Sequence, residues 1–208
     1  MKKLLLLLLF TGTACMQLQA QIVPKEDKFR VGLRIGMGVT TIKGGELENP
    51  TTKRGFVAGA YSRYRFSNWL DFSTGLEASF RGSRFDNGDS GYSQVGLVYT
   101  DIPALFMIKT GNDGKFRTVI GYQASALLKS SLFVGPDPVY RKLGLPLRQM
   151  DHMAVFGFTL DGVITGLNFY VKYSLRDVNS GINYPEIRPE QGKGKEIRNL
   201  AFELGINF

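Results

Sequence analysis

Apolar and polar side chains alternate with a period of two along much of this chain. From Phe29 to Val39 every second residue is apolar, and the residues between them are Arg or Gly. The same alternation runs through 70–81 and again through 199–208. A period of two is typical of a β-strand whose two faces meet different surroundings. The pattern therefore predicts strands with one apolar and one small or polar face.

Five further segments have one mostly apolar parity, and they lie at about 55–66, 96–109, 115–128, 150–161 and 167–178. With the first three they make eight predicted strands. Most are roughly ten to fourteen residues long, close to the length of a tilted strand that crosses a bilayer. The connections between them alternate in length. Those at 67–68, 111–114 and 162–166 are short, whereas 42–54, 82–95, 129–149 and 179–196 are long.

This arrangement predicts an all-β fold, an eight-stranded antiparallel up-and-down transmembrane β-barrel. Past residue 21 no apolar run is long enough for a transmembrane helix, and only a closed barrel leaves no strand edge unpaired in lipid. The apolar faces hold more large side chains than so narrow a barrel can enclose. We therefore expect them to face lipid, with small residues inside. Short turns are periplasmic in such barrels, so both termini should be periplasmic.

Charged residues on the inward parity should fill the lumen. They include both signs, and an unpaired buried charge costs several kcal/mol. We expect a salt-bridged, plugged interior, with a transport path as the alternative. The predicted network comprises Arg34, Arg63, Arg65, Glu77, Asp101, Lys109, Arg117, Lys172, Arg176 and Glu203.

The N-terminus reads as a secretory signal peptide over residues 1–20, with two lysines, an apolar run and a small-residue cleavage site ending at Ala20. The barrel domain then comprises 21–208. Lipidation of Cys15 is the alternative. If cleavage follows Ala20, the mature chain has no cysteine, so neither disulfides nor thiol chemistry contribute.

The formal net charge is +8, yet no run of five basic residues occurs, so nucleic acid is not an expected partner. Outer-membrane lipid, including anionic lipopolysaccharide, is the expected partner. The connection 129–149 combines apolar and basic groups that suit an envelope protein or lipopolysaccharide phosphates. An alternative is that it folds over the barrel mouth. The candidate contact residues are Phe133, Arg141, Lys142 and Arg148.

Catalytic and metal-binding signals are weak. His152 is the only histidine, too little for a zinc site. A lipid-modifying enzyme would need it beside Ser125 or Ser174 and an acid, and no acid is placed there by the sequence. Residues 86–89 carry oxygen ligands but lack the length of a calcium loop, so a solvated turn is expected. We predict no catalytic residue, metal or cofactor.

Three short motifs resemble the porin-like outer-membrane β-barrel family of Bacteroidota-type bacteria. They are the segment 99–105 with Asp101 before Ile-Pro, Lys172-Tyr173-Ser174, and the terminal Phe208. The family more often has Arg at the position of Lys172, and a Gly soon after Ser174. The resemblance covers 21–208 and implies residence in a Gram-negative outer membrane. It also implies that Phe208 is an assembly signal for the barrel-assembly machinery.

Pro103 removes a backbone donor from the fourth strand. We therefore expect a β-bulge in that strand.

The function predicted from the sequence is that of a non-enzymatic outer-membrane barrel, either a structural or adhesion-type envelope protein or an accessory to a secretion assembly. The alternatives are a small solute or ion channel and a lipid-modifying barrel enzyme.

Overall fold

The structure is a computed structural model, and it describes residues 28–44, 50–86, 92–110, 115–135, 149–162, 165–178 and 197–208. The predicted signal peptide, Cys15, Arg141, Lys142 and Arg148 lie outside these ranges, as do Asn87, Gly88 and Asp89 of the calcium-loop alternative. No helix within the described ranges is both long and apolar enough to cross a membrane.

Eight antiparallel strands form a closed barrel in which each strand pairs with its neighbour in sequence and the last pairs with the first. This confirms the predicted fold class. The strands are β1 (Phe29–Gly44), β2 (Pro50–Arg65), β3 (Leu70–Asp86), β4 (Tyr92–Lys109), β5 (Phe116–Gly135), β6 (Met150–Asp161), β7 (Gly166–Ser174) and β8 (Ile197–Asn207). The end of the barrel that carries the short connections is called the lower end below, and the opposite end is the upper end.

The outer face of the barrel is a broad apolar surface. Leu33 is 58% exposed, Met37 68% and Leu76 58%, and comparable side chains occur on every strand. Aromatic rings gather at the lower end, where Phe158 stacks on Phe116 and Phe169 with centroids 5.6 and 5.3 Å away. An apolar belt of this extent is typical of a surface that faces lipid.

The interior holds larger side chains than the sequence predicted. Tyr99, Leu97 and Met107 are almost fully buried inside the barrel. β4 is apolar on both faces over this region, so alternation did not distinguish its inner face. Gly38 shows the opposite extreme, because a Cβ there would lie 1.8 Å from the carbonyl oxygen of Phe202 in β8. Only glycine fits this contact between the first and last strands.

The strands differ greatly in length at the upper end. β5 has 20 residues and β4 has 18, whereas β7 has only nine. Ala126 of β5 pairs with Met150 at the start of β6, and β5 then continues to Gly135 alongside β4. Strands β3, β4 and β5 therefore rise as a ribbon beyond β6 and β7.

Phe133, which was predicted to lie in a loop, belongs to this ribbon. It is in β5, where it pairs with Gln94. The prediction was wrong because the polar residues after Leu128 resemble a connection, although their backbones continue the ladder with β4.

The predicted bulge at Pro103 is also wrong in position. β4 keeps one register through Pro103, which pairs with Gln123 of β5. The register between β4 and β3 is likewise unshifted. After the pair Thr74–Ala104, however, the ladder is interrupted at Pro103 and resumes only at the pair Glu77–Asp101. The lost donor is thus accommodated by a gap in the ladder. The nearby register shift is between β4 and β5. Val98 pairs with Lys129 and Tyr99 with Leu127, so the bulged residue is Leu128 of β5, not a residue of β4.

Candidate functional site

Ionic side chains occupy the barrel interior and have equal numbers of the two signs. Among the described residues, five basic and five acidic side chains are buried. They are Arg34, Arg63, Arg81, Arg117 and Lys172 against Asp71, Glu77, Asp101, Asp151 and Glu203. Because burying an unpaired charge is costly, the balance of signs points to ion pairing within the lumen.

The central cluster consists of Arg34, Glu77, Lys172 and Glu203. Arg34 Nη1 donates to the two carboxylate oxygens of Glu77 at 2.8 and 3.0 Å, and Nη2 donates to Glu203 at 2.9 Å. Lys172 Nζ lies 2.8 Å from Glu203 and 3.9 Å from Glu77. Two cations and two carboxylates from four different strands thus form a ring across the lumen.

The guanidinium of Arg34 is held by further contacts. Its Nε donates to Asn168 at 3.2 Å, and its carbon lies 4.5 Å from the ring centroid of Tyr170. With every nitrogen of the planar group engaged, Arg34 is fixed in one orientation. Lysine at this position would satisfy fewer acceptors.

The upper cluster is built around Arg81. Its Nη2 lies 2.5 Å from Asp101, its Nη1 is 3.8 Å from Asp151, and its carbon lies 4.8 Å from the ring of Tyr99. Asp151 also accepts hydrogen bonds from Ser174 and from Asn199, at 2.9 and 2.8 Å. The acidic residue that precedes Ile-Pro therefore pairs with an arginine of β3.

An apolar layer lines the lumen on the side formed by β4 to β7. It consists of Leu105, Met107, Val119, Val155 and Tyr170, all buried against one another. Along β4, β5 and β6 these residues lie between the charges of the lower end and the polar residues above. Apolar side chains in close contact exclude water, so this layer supports a closed interior.

The lower cluster consists of Arg63, Arg65, Asp71, Arg117 and Asp161. Asp161 is shared by Arg117 and by Arg63, the latter at 2.7 Å. Asp71 accepts from Arg117 Nε at 2.9 Å, and Arg65 Nε lies 3.8 Å from its other oxygen. Three arginines thus compete for two carboxylates.

The other two predicted network residues differ in place. Lys109 lies directly opposite Arg117 across β4 and β5, at the lower end. Arg176 was predicted to face the lumen, and this is wrong. β7 ends at Ser174, and Arg176 is exposed in the bend that follows. The alternation of apolar and polar residues in the sequence continues past Ser174. Beyond that residue no backbone pairing holds the chain as a strand, so parity no longer determines the direction of the side chain.

Four charged residues of the interior were not in the predicted set, namely Asp71, Arg81, Asp151 and Asp161. Each has the inward parity of its own strand, so the alternation contained the signal. Arg81 and Asp161 lie near the ends of their predicted segments, where strand and connection are hard to distinguish by sequence.

The side chains of the enzyme hypothesis are not brought together. His152 is on the outer face, where its ring contacts that of Tyr122 at 5.8 Å between centroids and its Nδ1 meets the tyrosine hydroxyl. Ser125 and Ser174 are fully buried in the lumen on the other side of the wall. Within the described ranges, no group of three or more His, Cys, Asp or Glu side chains is arranged to hold a metal ion.

Phe208 lies at one end of the β8–β1 ladder that closes the barrel. Phe208 donates its backbone N–H to the carbonyl of Leu33 at 2.8 Å and accepts from Leu33 at 3.2 Å. The last residue of the chain is therefore part of the seam between β8 and β1.

Comparison with known families gives one extended match. The sequence model of a family described as "Outer membrane protein beta-barrel domain" matches residues 19–180. No curated protein sequence matches the chain.

Solved structures are similar to this chain at low sequence identity, and one of them has a TM-score above 0.5. The Neisserial surface protein A is 13% identical, with a TM-score of 0.52, and the match covers 87% of this chain and 98% of that protein. The attachment invasion locus protein Ail of Yersinia pestis, solved in complex with the heparin analogue sucrose octasulfate, is 13% identical, with a TM-score of 0.45. That match covers 87% of this chain and 98% of Ail. The outer membrane protein OprG of Pseudomonas aeruginosa is 12% identical, with a TM-score of 0.45, and the match covers 85% of this chain and 95% of OprG.

Proposed function

Given that this chain belongs to the outer membrane protein β-barrel domain family, we propose that it is a closed, non-enzymatic barrel that anchors a binding surface in the outer membrane. That surface would serve adhesion, envelope structure or a secretion assembly. The motifs at 99–105 and 172–174 support a place among the porin-like barrels of Bacteroidota-type bacteria, and therefore in a Gram-negative outer membrane.

The observation that carries this proposal is the filled lumen. Ion pairs joining β1, β3, β7 and β8 cross the interior, and the apolar layer packs beside them, with Tyr170 against Arg34. An ion that entered would have to break these pairs, each of which is costly to disrupt in a buried setting. The barrel therefore suits anchoring better than conduction.

Conductance tests this directly. The purified protein should give no single-channel steps in planar bilayers at moderate voltage, with a water-filled porin in the same bilayers as the positive control. Regular steps of fixed size would contradict the closed barrel and favour the solute or ion channel.

The upper end would face outward, with both termini periplasmic. Support comes from the lengths of the connections. Few residues separate consecutive strands at the lower end, whereas the β3–β5 ribbon extends from the upper end. Surface-exposed loops are the longer ones in such barrels. A ribbon that extends beyond the lipid presents backbone and side chains to an envelope protein partner.

Lipopolysaccharide would contact the upper rim. Lys43 of β1 and Arg198 of β8 lie directly opposite each other on the outward parity. Two adjacent cations at the lipid boundary suit the phosphates of lipopolysaccharide. Replacing both with glutamine should weaken retention on lipopolysaccharide-coated beads at low salt. Lys115→Gln, a change at the lower end, is the matched control, and equal retention of all three proteins would contradict this contact.

Phe208 would serve the barrel-assembly machinery. Its position at the β8–β1 seam supports this role, because the seam is the last pairing needed for closure.

A further inference from the structure

A small pocket opens at the lower mouth of the barrel. It is lined by Lys28, Arg30, Arg63, Arg65, Asp71 and Arg117. These residues come from the start of β1, the end of β2, and the first residues of β3 and β5. The register of the barrel thus collects at one point cations that are far apart in sequence.

The charges of this mouth pocket do not balance. Five of its six lining residues are cations, and Asp71 is the one carboxylate among them. The other carboxylate nearby, Asp161, is already shared by Arg63 and Arg117. The central cluster has equal numbers of both signs and the upper cluster has two carboxylates to one arginine, so among the three interior clusters only this one has an excess of positive charge. Like charges held close together repel unless an anion lies among them.

Hydrogen-bond donors in the pocket also lack acceptors. Arg63 is 7% exposed, yet its Nε has no hydrogen-bond partner among the described residues. Arg65 Nε is 3.8 Å from Asp71 Oδ1, beyond hydrogen-bond distance, and neither atom has a hydrogen-bond partner among the described residues. At the rim, Lys28 and Arg30 are exposed and take part in none of the ion pairs found among the described residues. The pocket therefore offers both directed donors and exposed cations.

We propose that the mouth pocket binds a phosphate group. Guanidinium groups match the geometry of phosphate oxygens and donate to them in pairs. A carboxylate would bring one negative charge, whereas phosphate near neutral pH brings up to two and offsets more of the excess. The exposed Lys28 and Arg30 can close over an ion already held by the buried Arg63.

Titration calorimetry of the refolded protein in zwitterionic detergent tests this, with inorganic phosphate at fixed ionic strength. The wild type should bind with a saturating isotherm and a stoichiometry near one. Lys28→Gln and Arg30→Gln should each weaken binding by about tenfold, as expected for loss of a charge-assisted contact. Neither residue pairs with a lumen carboxylate among the described residues, so both variants should fold.

Two matched controls separate the pocket from general surface charge. Lys115→Gln removes a cation at the same end outside the pocket lining, and Lys129→Gln removes an exposed one from the upper part of β5. Both should bind phosphate as the wild type does. Absence of saturable binding, or equal weakening in the controls and in the pocket variants, would overturn the proposal.

The source of the phosphate is decided by a second titration with glycerophosphoglycerol, the headgroup diester of a phospholipid. Tighter binding of the diester would indicate a lipid headgroup, and tighter binding of inorganic phosphate would indicate a free ion or a terminal phosphate. Conductance and phosphate binding are independent, so failure of this proposal leaves the closed-barrel function standing.

Discussion

At the scale of single residues, the interior of this barrel is specified by charges that find partners on distant strands. Arg34 in β1 joins Glu77 in β3 and Glu203 in β8, and all three are almost fully buried. Removing one member leaves the others desolvated without compensation, which costs more than the pair itself contributes.

Arg34→Met should therefore destabilise the barrel by about 3–5 kcal/mol, the cost typical of breaking a buried ion pair. The free energy of unfolding is measured by urea titration of the protein refolded in detergent. Arg30→Met is the matched control, since Arg30 is on the same strand and parity but exposed. Its effect should stay below about 1 kcal/mol. Similar losses in the two variants would show that the central cluster is not a stabilising unit.

At the scale of elements, alternation predicted the faces of most strands, and a bulge determined the rest. Ser125 faces inward on β5 and pairs with Asp101, and Leu127 pairs with Tyr99. Beyond the inserted Leu128, Lys129 pairs with Val98 and is exposed. If Leu128 took a regular place in the ladder and did not bulge, Lys129 would have the inward parity. The bulge thus keeps a lysine out of the lumen.

Deleting Leu128 should be tolerated, because every flanking residue keeps its partner and its face once the bulge is removed. Deleting Ile120, an exposed apolar residue of the same strand, shifts the register by one. All side chains of β5 on one side of the deletion then exchange the inner and outer faces. Only the first variant should refold to a band whose mobility changes on boiling. Equal refolding of both variants would contradict the register.

At the scale of the whole molecule, closure accounts for both location and stability. Each strand is paired on both sides in the transmembrane part, so the apolar outer face can enter lipid without an exposed backbone edge. The family match and the fold place the chain among outer-membrane barrels.

The intact barrel should therefore resist detergent until it is heated. Unboiled and boiled outer-membrane fractions, run side by side on a detergent gel, should give bands of different mobility. A soluble protein with one band under both conditions would mean that the apolar face points inward. Arg34→Met should lose the folded band at a lower temperature than the wild type.

Much of the architecture followed from the sequence alone. The period of two, the strand lengths and the alternation of short and long connections determined eight strands, their order and most of their faces. These are local properties, because the direction of a side chain in a strand depends only on its neighbours. The same alternation placed Arg34, Glu77, Asp101, Lys172 and Glu203 inside the barrel.

Only the tertiary structure decided which charges meet. Arg63 pairs with Asp161 and Arg81 with Asp101 and Asp151, across strands brought face to face by the stagger of the closed barrel. The ladder gap at Pro103, the bulge at Leu128 and the early end of β7 before Arg176 also depend on neighbouring strands. Pairing register is a property of two strands together, so one strand's sequence determines its faces but not its partners.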